Sequence, residues 1–142
     1  MLAHIHYMLK LQQMLERNVG NIGENIAERF LAEKRYRIVG KNFRRKFGEI
    51  DIIVKATDGM LVFVEVKTLR NYGPEGLKPE DNLSSAKLKK FKRICEGYVV
   101  THGENVREEK GWRMDLVCVE IPREEKLTYE LKDCIIRHYE NI

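Results

Sequence analysis

Apolar positions recur along this chain with two different periods. Leu2, Ile5, Leu9 and Leu15 stand at rough helical spacing with polar residues between them, which predicts a helix from Leu2 to Arg17. Two readings of that stretch stand side by side: an added helix, or an extension ahead of a start at Met8 or Met14. A second helix is predicted from Ile22 to Lys34. There Ile22, Ile26, Ala27, Phe30 and Leu31 form one apolar arc, with Glu24 at its edge and Glu28, Arg29 and Glu33 mostly off it.

The period then shortens. β-branched and aromatic enrichment predicts strands at about residues 36–47, 49–55 and 61–68. Residues 69–83, "LRNYGPEGLKPEDNL", hold two prolines and two glycines without a period and are expected to form a mobile loop. Ser84 or Ser85 can cap a helix through about Val99, with Leu88, Phe91, Ile94, Cys95 and Tyr98 facing inward. Its other face is basic, carrying Lys89, Lys92 and Arg93 with Lys87 and Lys90 at the flanks. "WRMDLVCVEI", residues 112–121, predicts a strand, and "KLTYELKDCII", residues 126–136, a further one.

Helix, three strands, helix, two strands implies an α/β (α+β) fold with a central mixed sheet covered by helices. A length of 142 residues suits one compact domain, read as residues 19–142 with 1–18 as a helical extension. Charged residues make up 34% and the net charge is +4, so the surface is ionic and mildly basic, which permits a nucleic-acid partner. Cys95, Cys118 and Cys134 are widely spaced in apolar contexts and form no zinc pattern, so they are read as buried thiols in a reducing cytoplasm. No apolar run is long enough to span a bilayer, and a soluble, cytoplasmic protein without a membrane partner is expected.

The register of the hairpin "GEIDIIVKATDGMLVFVEVK", residues 48–67, carries the chemistry. A two-residue Asp58-Gly59 turn sets Asp51 against Val66 and mixes charge with apolar residues. A three-residue loop, Thr57-Asp58-Gly59, with Gly59 in the left-handed conformation pairs Ala56 with Met60 instead. One face then holds Ile50 with Val66, Ile52 with Val64 and Val54 with Val62. The other holds Glu49 with Lys67, Asp51 with Glu65 and Ile53 with Phe63.

Two carboxylates directly across a strand pair repel each other. A divalent cation, Mg²⁺ or Mn²⁺, between Asp51 and Glu65 removes the conflict, because hard cations take carboxylate and water oxygens. Lys67, two residues beyond Glu65 on the same face, can then contact a phosphate or an attacking water. The competing reading is a solvated face with a Glu49–Lys67 surface ion pair, but Ile53 and Phe63 on that face argue for cover.

At these residues the sequence resembles the PD-(D/E)XK nuclease superfamily and, within it, the YraN-type family of predicted endonucleases, related in fold to archaeal Holliday junction resolvases. The matching words are "GNIGENIAERFL" at 20–31, "GEIDII" at 48–53, "VFVEVKT" at 62–68, Lys87 in "SSAKLKKF" and "RMDLVCV" at 113–119. The resemblance implies an αβββαβ restriction-endonuclease-like core. It makes Asp51 and Glu65 metal ligands, the Val66 carbonyl a third ligand and Lys67 the catalytic lysine. Glu24 matches the first-helix acid of the resolvase-like branch; a first-turn glutamate favoured by the helix dipole is the equal alternative. Glu49 is read as an outer acid of the site or as Lys67's ion partner, with the ion partner preferred; Glu28 is read as a surface acid, and Arg113 with Asp115 as a brace of the fold. Lys87 matches a family lysine able to reach a phosphate, with a solvated helix charge as the alternative. After "VKT" the family carries two consecutive basic residues where this chain has Leu69-Arg70, which weakens a DNA contact there.

The function these readings imply is a Mg²⁺- or Mn²⁺-dependent endonuclease acting on DNA, branched or Holliday-junction DNA included. Lys87, Lys90, Arg44, Arg45 and Arg70 are the candidate nucleic-acid contacts. Symmetric cutting of a four-way junction requires two active sites, so that reading predicts a homodimer. The competitors are a catalytically inactive nucleic-acid-binding module of nuclease fold and a partner-binding protein that docks through its N-terminal helix.

Overall fold

The computed structural model describes residues 1–70 and 78–142 of the chain. Of the loop expected over 69–83, residues 71–77 lie outside the described residues. Helix α1 (Leu2–Glu33) is followed by strands β1 (Arg37–Arg45), β2 (Gly48–Lys55) and β3 (Leu61–Arg70). A 3-10 turn (Pro79–Asn82), helix α2 (Ser85–Thr101), a second 3-10 turn (Gly103–Asn105), β4 (Trp112–Ile121), a third 3-10 turn (Leu131–Asp133) and β5 (Ile135–Tyr139) complete the order. The fold is α+β with a five-stranded mixed sheet in the order β1-β2-β3-β4-β5, flanked by helices and consistent with a restriction-endonuclease-like core. Only β3 and β4 run parallel, and α2 lies in the connection that such a pair demands.

The central strands are apolar on both faces because each face carries a helix. On one side Ile26, Ala27 and Leu31 of α1 pack against Ile52, Val54, Val62, Val64 and Val119. On the other Phe91, Ile94, Cys95 and Tyr98 of α2 cover Ile53, Leu61, Phe63 and Met114. Ser84 caps α2, its Oγ accepting the Lys87 amide at 3.2 Å. The charged face of α2 is solvent-exposed at Lys87, Lys89, Lys90, Lys92 and Arg93, as its periodicity predicts.

The hairpin takes the three-residue loop. The Ala56 amide donates to the Met60 carbonyl at 2.9 Å, Gly59 has φ +89°, and Ile52–Val64, Ile53–Phe63 and Val54–Val62 are partners.

Three expectations change. The two helical stretches form one uninterrupted helix, because Asn18–Asn21 contain no proline and a single glycine, Gly20, is too weak a breaker to end it. The last strand is shorter and later than residues 126–136. Tyr129 turns inward, donating its hydroxyl to the Glu124 carbonyl at 2.8 Å, and a 3-10 turn at Leu131–Asp133 intervenes before Ile135. Finally, Ile50 does not pair with Val66. Alternation breaks between Ile50 and Ile52, and Ile50 joins the α2-side core while Val66 joins the α1-side core.

A buried brace joins β4 to β5. Asp115 is fully buried and its carboxylate accepts from Arg113 Nε (2.9 Å), the Asn141 amide (3.0 Å) and, at 2.7 Å, contacts His138 Nε2. Burial pushes this carboxyl up, yet the hydrogen bonds from His138, Arg113 and Asn141 outweigh it and hold it below the usual range. Arg113 and Asp115 therefore brace β4 against β5 and the C-terminus, as expected from the sequence.

Candidate functional site

The β2–β3 ladder ends at Ile52–Val64, one residue short of the acids. Beyond it the Val66 amide donates to Asp51 Oδ2 at 2.8 Å, so a side chain takes over where the next strand carbonyl would have stood. The opened strands leave Asp51 only 6% exposed at the floor of a cleft.

One wall of that cleft is α1. Gly23 is buried against Thr68, and a Cβ at position 23 would fall 1.7 Å from Thr68 Oγ1. Only glycine permits this approach, and the next residue along the helix is Glu24. The carboxylates of Glu24, Glu49 and Asp51 come together with ligating oxygens all within 4.8 Å of one another. Glu24 thus faces the hairpin rather than only decorating the first turns of a helix. Glu65 reaches the same cleft from β3, and Lys67 Nζ lies 3.1 Å from Glu65 Oε1.

The electrostatics are those of an acid cluster short of positive charge. Burial first, then the Glu65 charge and those of Glu24 and Glu49, raise the Asp51 carboxyl far above its usual range, against the opposing Val66 amide. Burial also raises Glu65 despite the lowering effect of Lys67, and burial with the Glu49 charge raises Glu24. At such separations like charges repel, most strongly where the enclosed Asp51 is one of the pair. The Arg44–Glu49 ion pair (2.9 Å) is 75% and 41% exposed and so stabilises by no more than about 1 kcal/mol. An all-oxygen donor set of this kind fits a hard divalent cation, with Glu24, Glu49, Asp51 and Glu65 as the carboxylates available.

Glu49 is the acid whose place differs from the sequence expectation. Strict alternation pairs it with Lys67; in the structure it bonds Arg44 and joins Glu24 and Asp51, while Lys67 takes Glu65. The broken alternation at Ile50–Ile52 is the physical reason, since strict pairing of the strands would have set residues 49 and 67 opposite each other.

The predicted site residues divide by place. Asp51, Glu65, Glu24, Val66 and Lys67 all line a cleft of about 810 Å³. On the α2 side Lys87 and Lys90 line an adjoining recess of about 260 Å³ together with Glu49, Asp51, Glu65 and Lys67. Arg44 and Arg45 lie on the exposed end of β1, where Arg45 stacks its guanidinium 4.0 Å over the Phe43 ring. Arg70 lines the 810 Å³ cleft too, and its Nη1 donates to the Pro122 carbonyl (2.9 Å) and the Tyr129 hydroxyl (3.0 Å), tying β3 to the segment after β4. Glu28, expected at the surface, pairs with Lys41 at 2.9 Å and clips α1 to β1.

Comparison with known proteins bears on the same segment. Residues 23–119, from the glycine beside Thr68 to the end of the β4 word, match the model of "Uncharacterised protein family UPF0102". A UPF0102 protein of Caldanaerobacter subterraneus subsp. tengcongensis is 33% identical over 131 residues, covering 91% of this chain and all of that one. One of Roseiflexus castenholzii is 34% identical over 103 residues, 72% of this chain and 79% of its own. One of Pelobacter propionicus reaches 53% over 64 residues, 43% of this chain and 46% of its own. With the family model and full-length relatives in agreement, this chain belongs to UPF0102, the YraN family, within the PD-(D/E)XK superfamily.

Proposed function

We propose that the protein is a metal-dependent endonuclease that hydrolyses phosphodiester bonds in DNA. The single observation that carries this reading is the convergence of Glu24, Glu49 and Asp51, with Glu65 and Lys67 beside them, in one cleft bordered by lysines. A pure binder of polyanions gains nothing from such acids, which repel phosphate unless a cation intervenes. In this reading Asp51, Glu65 and the Val66 carbonyl hold Mg²⁺ or Mn²⁺, and Glu24 and Glu49 complete the set. The cation supplies Lewis acidity, which polarises the phosphate and acidifies water.

The chain's own residues do the rest. Lys67 holds the attacking water by hydrogen bonding and offsets the negative charge that grows on the phosphate oxygens. Its contact with Glu65 keeps the ammonium oriented before substrate arrives. The water oxygen attacks phosphorus in line with the departing sugar oxygen; one P–O bond forms, one breaks, and the sugar oxygen leaves as a hydroxyl. Lys87 and Lys90 line the recess beside the acids, and in this reading they contact flanking phosphates, positioning the backbone without reading its sequence.

The resemblance to the resolvase-like branch extends the reading to branched DNA, and symmetric cutting of a four-way junction would then require a homodimer. A cytoplasmic setting accords with the free thiols of Cys95, Cys118 and Cys134. Among the described residues no helix is long and apolar enough to cross a membrane.

The test is cleavage of labelled four-way junctions, flaps, single strands and duplexes with Mg²⁺ or Mn²⁺, comparing wild type with Asp51→Ala and Lys67→Ala. Metal-dependent cutting abolished by both substitutions is the expected result. Binding of DNA that is indifferent to metal and to both substitutions, without any cutting, would install the inactive binding module in its place.

A further inference from the structure

Beside the acid cleft, on the outer side of α2, lies a second concavity, of whose charged residues the cleavage reading uses Lys90 alone. The turn from β1 to β2 carries Phe47, which is 72% exposed, an unusual position for the largest apolar side chain of a turn otherwise made of Arg45, Lys46 and Gly48. With α2 this turn encloses about 710 Å³. Five cations, Arg45, Lys46, Lys89, Lys90 and Arg93, line it; Ile94 and Gly97 give it an apolar floor, and no acid lines it among the described residues. Lys46 Nζ stands 5.8 Å from the Phe47 ring centroid, so an ammonium accompanies the aromatic face.

We propose that this groove binds an unpaired stretch of the DNA substrate, with one base stacked on Phe47 and the flanking phosphates on the five cations. An exposed aromatic among cations is the combination that single strands require, because every base offers a π-face once it is unpaired. In a duplex those faces are already stacked, so Phe47 contributes to binding only where pairing is interrupted. Lys90 and Ile94 line both this groove and the recess containing Asp51, Glu65 and Lys67. A strand anchored at Phe47 therefore runs over Lys90 to the carboxylates. The inference rests on the nuclease reading for its consequence: cutting would fall at or near a junction between paired and unpaired DNA.

The test measures binding and cutting separately. Fluorescence anisotropy in EDTA gives the affinities of wild type, Phe47→Ala and Phe47→Trp for an oligothymidylate and for a blunt hairpin duplex of equal charge. Loss of one stacked base predicts a fall of about tenfold or more in the ratio of single-strand to duplex affinity for Phe47→Ala, with Phe47→Trp keeping the ratio. An unchanged ratio in Phe47→Ala, or wild type that does not bind the oligothymidylate, overturns the groove. The same preparations are then assayed for Mn²⁺-dependent cutting against Asp51→Ala. Cutting with an unchanged ratio removes the groove and leaves the nuclease; a changed ratio without cutting removes the nuclease and leaves the groove.

Discussion

Gly23 rests against Thr68 so closely that a methyl group at position 23 would sit 1.7 Å from the threonine Oγ1. This contact sets the distance between α1 and β3 and so carries Glu24 to the acids of β2. Gly23→Ala is expected to push the helix outward. It should destabilise the protein by about 1–3 kcal/mol, the usual cost of overpacking, and weaken Mn²⁺ binding as well. Urea unfolding and a Mn²⁺ titration on the same variant check both; a variant of wild-type stability and affinity would refute the contact's role.

Glu49 offers a separate test, because it stands with Glu24 and Asp51 rather than with Lys67. Glu49→Gln should lower Mn²⁺ affinity by about ten- to a hundredfold, the range typical of groups that support a metal site. If Glu49 only decorated the surface through its exposed pair with Arg44, affinity would not change.

Lys67 should separate binding from chemistry. Its ammonium contacts Glu65 but supplies no metal ligand, so Lys67→Ala is expected to retain Mn²⁺ binding while cutting falls by about a hundredfold or more. Calorimetry and a single-turnover cleavage assay read the two quantities; loss of metal binding together with cutting would mean that Lys67 acts by holding the site together.

Glu80 predicts an acid dependence of stability that does not involve the acid cluster. Hydrogen bonding from Arg137, which also donates to Glu120 at 2.6 Å, holds the Glu80 carboxyl down at about 2 instead of its ordinary 4.5. Between those values the unfolded chain binds more protons than the folded one, so the contribution is full above the ordinary value and is lost as pH falls toward the depressed one. Urea midpoints at pH 7 and at about pH 3 should therefore differ less in Glu80→Gln than in wild type. Equal differences would show that the Arg137 contact contributes nothing to folding.

Much of this arrangement is legible in the order of the residues alone. Alternation and the three-residue loop Thr57-Asp58-Gly59 give the register of Ile52–Val64, and from it the nearness of Asp51 and Glu65. The periodicity of Leu88, Phe91, Ile94, Cys95 and Tyr98 marks the inner face of α2; its outer face is basic for the same reason. What local pattern cannot express is the break before Ile52, where a hydrogen bond between the Asp51 carboxylate and the Val66 amide replaces a strand bond. That break moves Ile50 to the other core and Glu49 to the acid cluster, against a strict two-residue period. Nor does local pattern show that Gly20 leaves α1 uninterrupted, or that Tyr129, with Arg70 Nη1 3.0 Å from its hydroxyl, would keep residues 126–134 out of the sheet.

The most direct test of the central claim is a calorimetric titration of Mn²⁺ into wild type, Asp51→Asn and Glu65→Gln. The asparagine can still accept the Val66 amide, so the fold is kept while the charge is removed. Wild type should bind saturably, with an affinity that falls by at least tenfold in each variant. Binding of equal strength in all three, or none in wild type, would contradict the assignment of these acids to a metal centre.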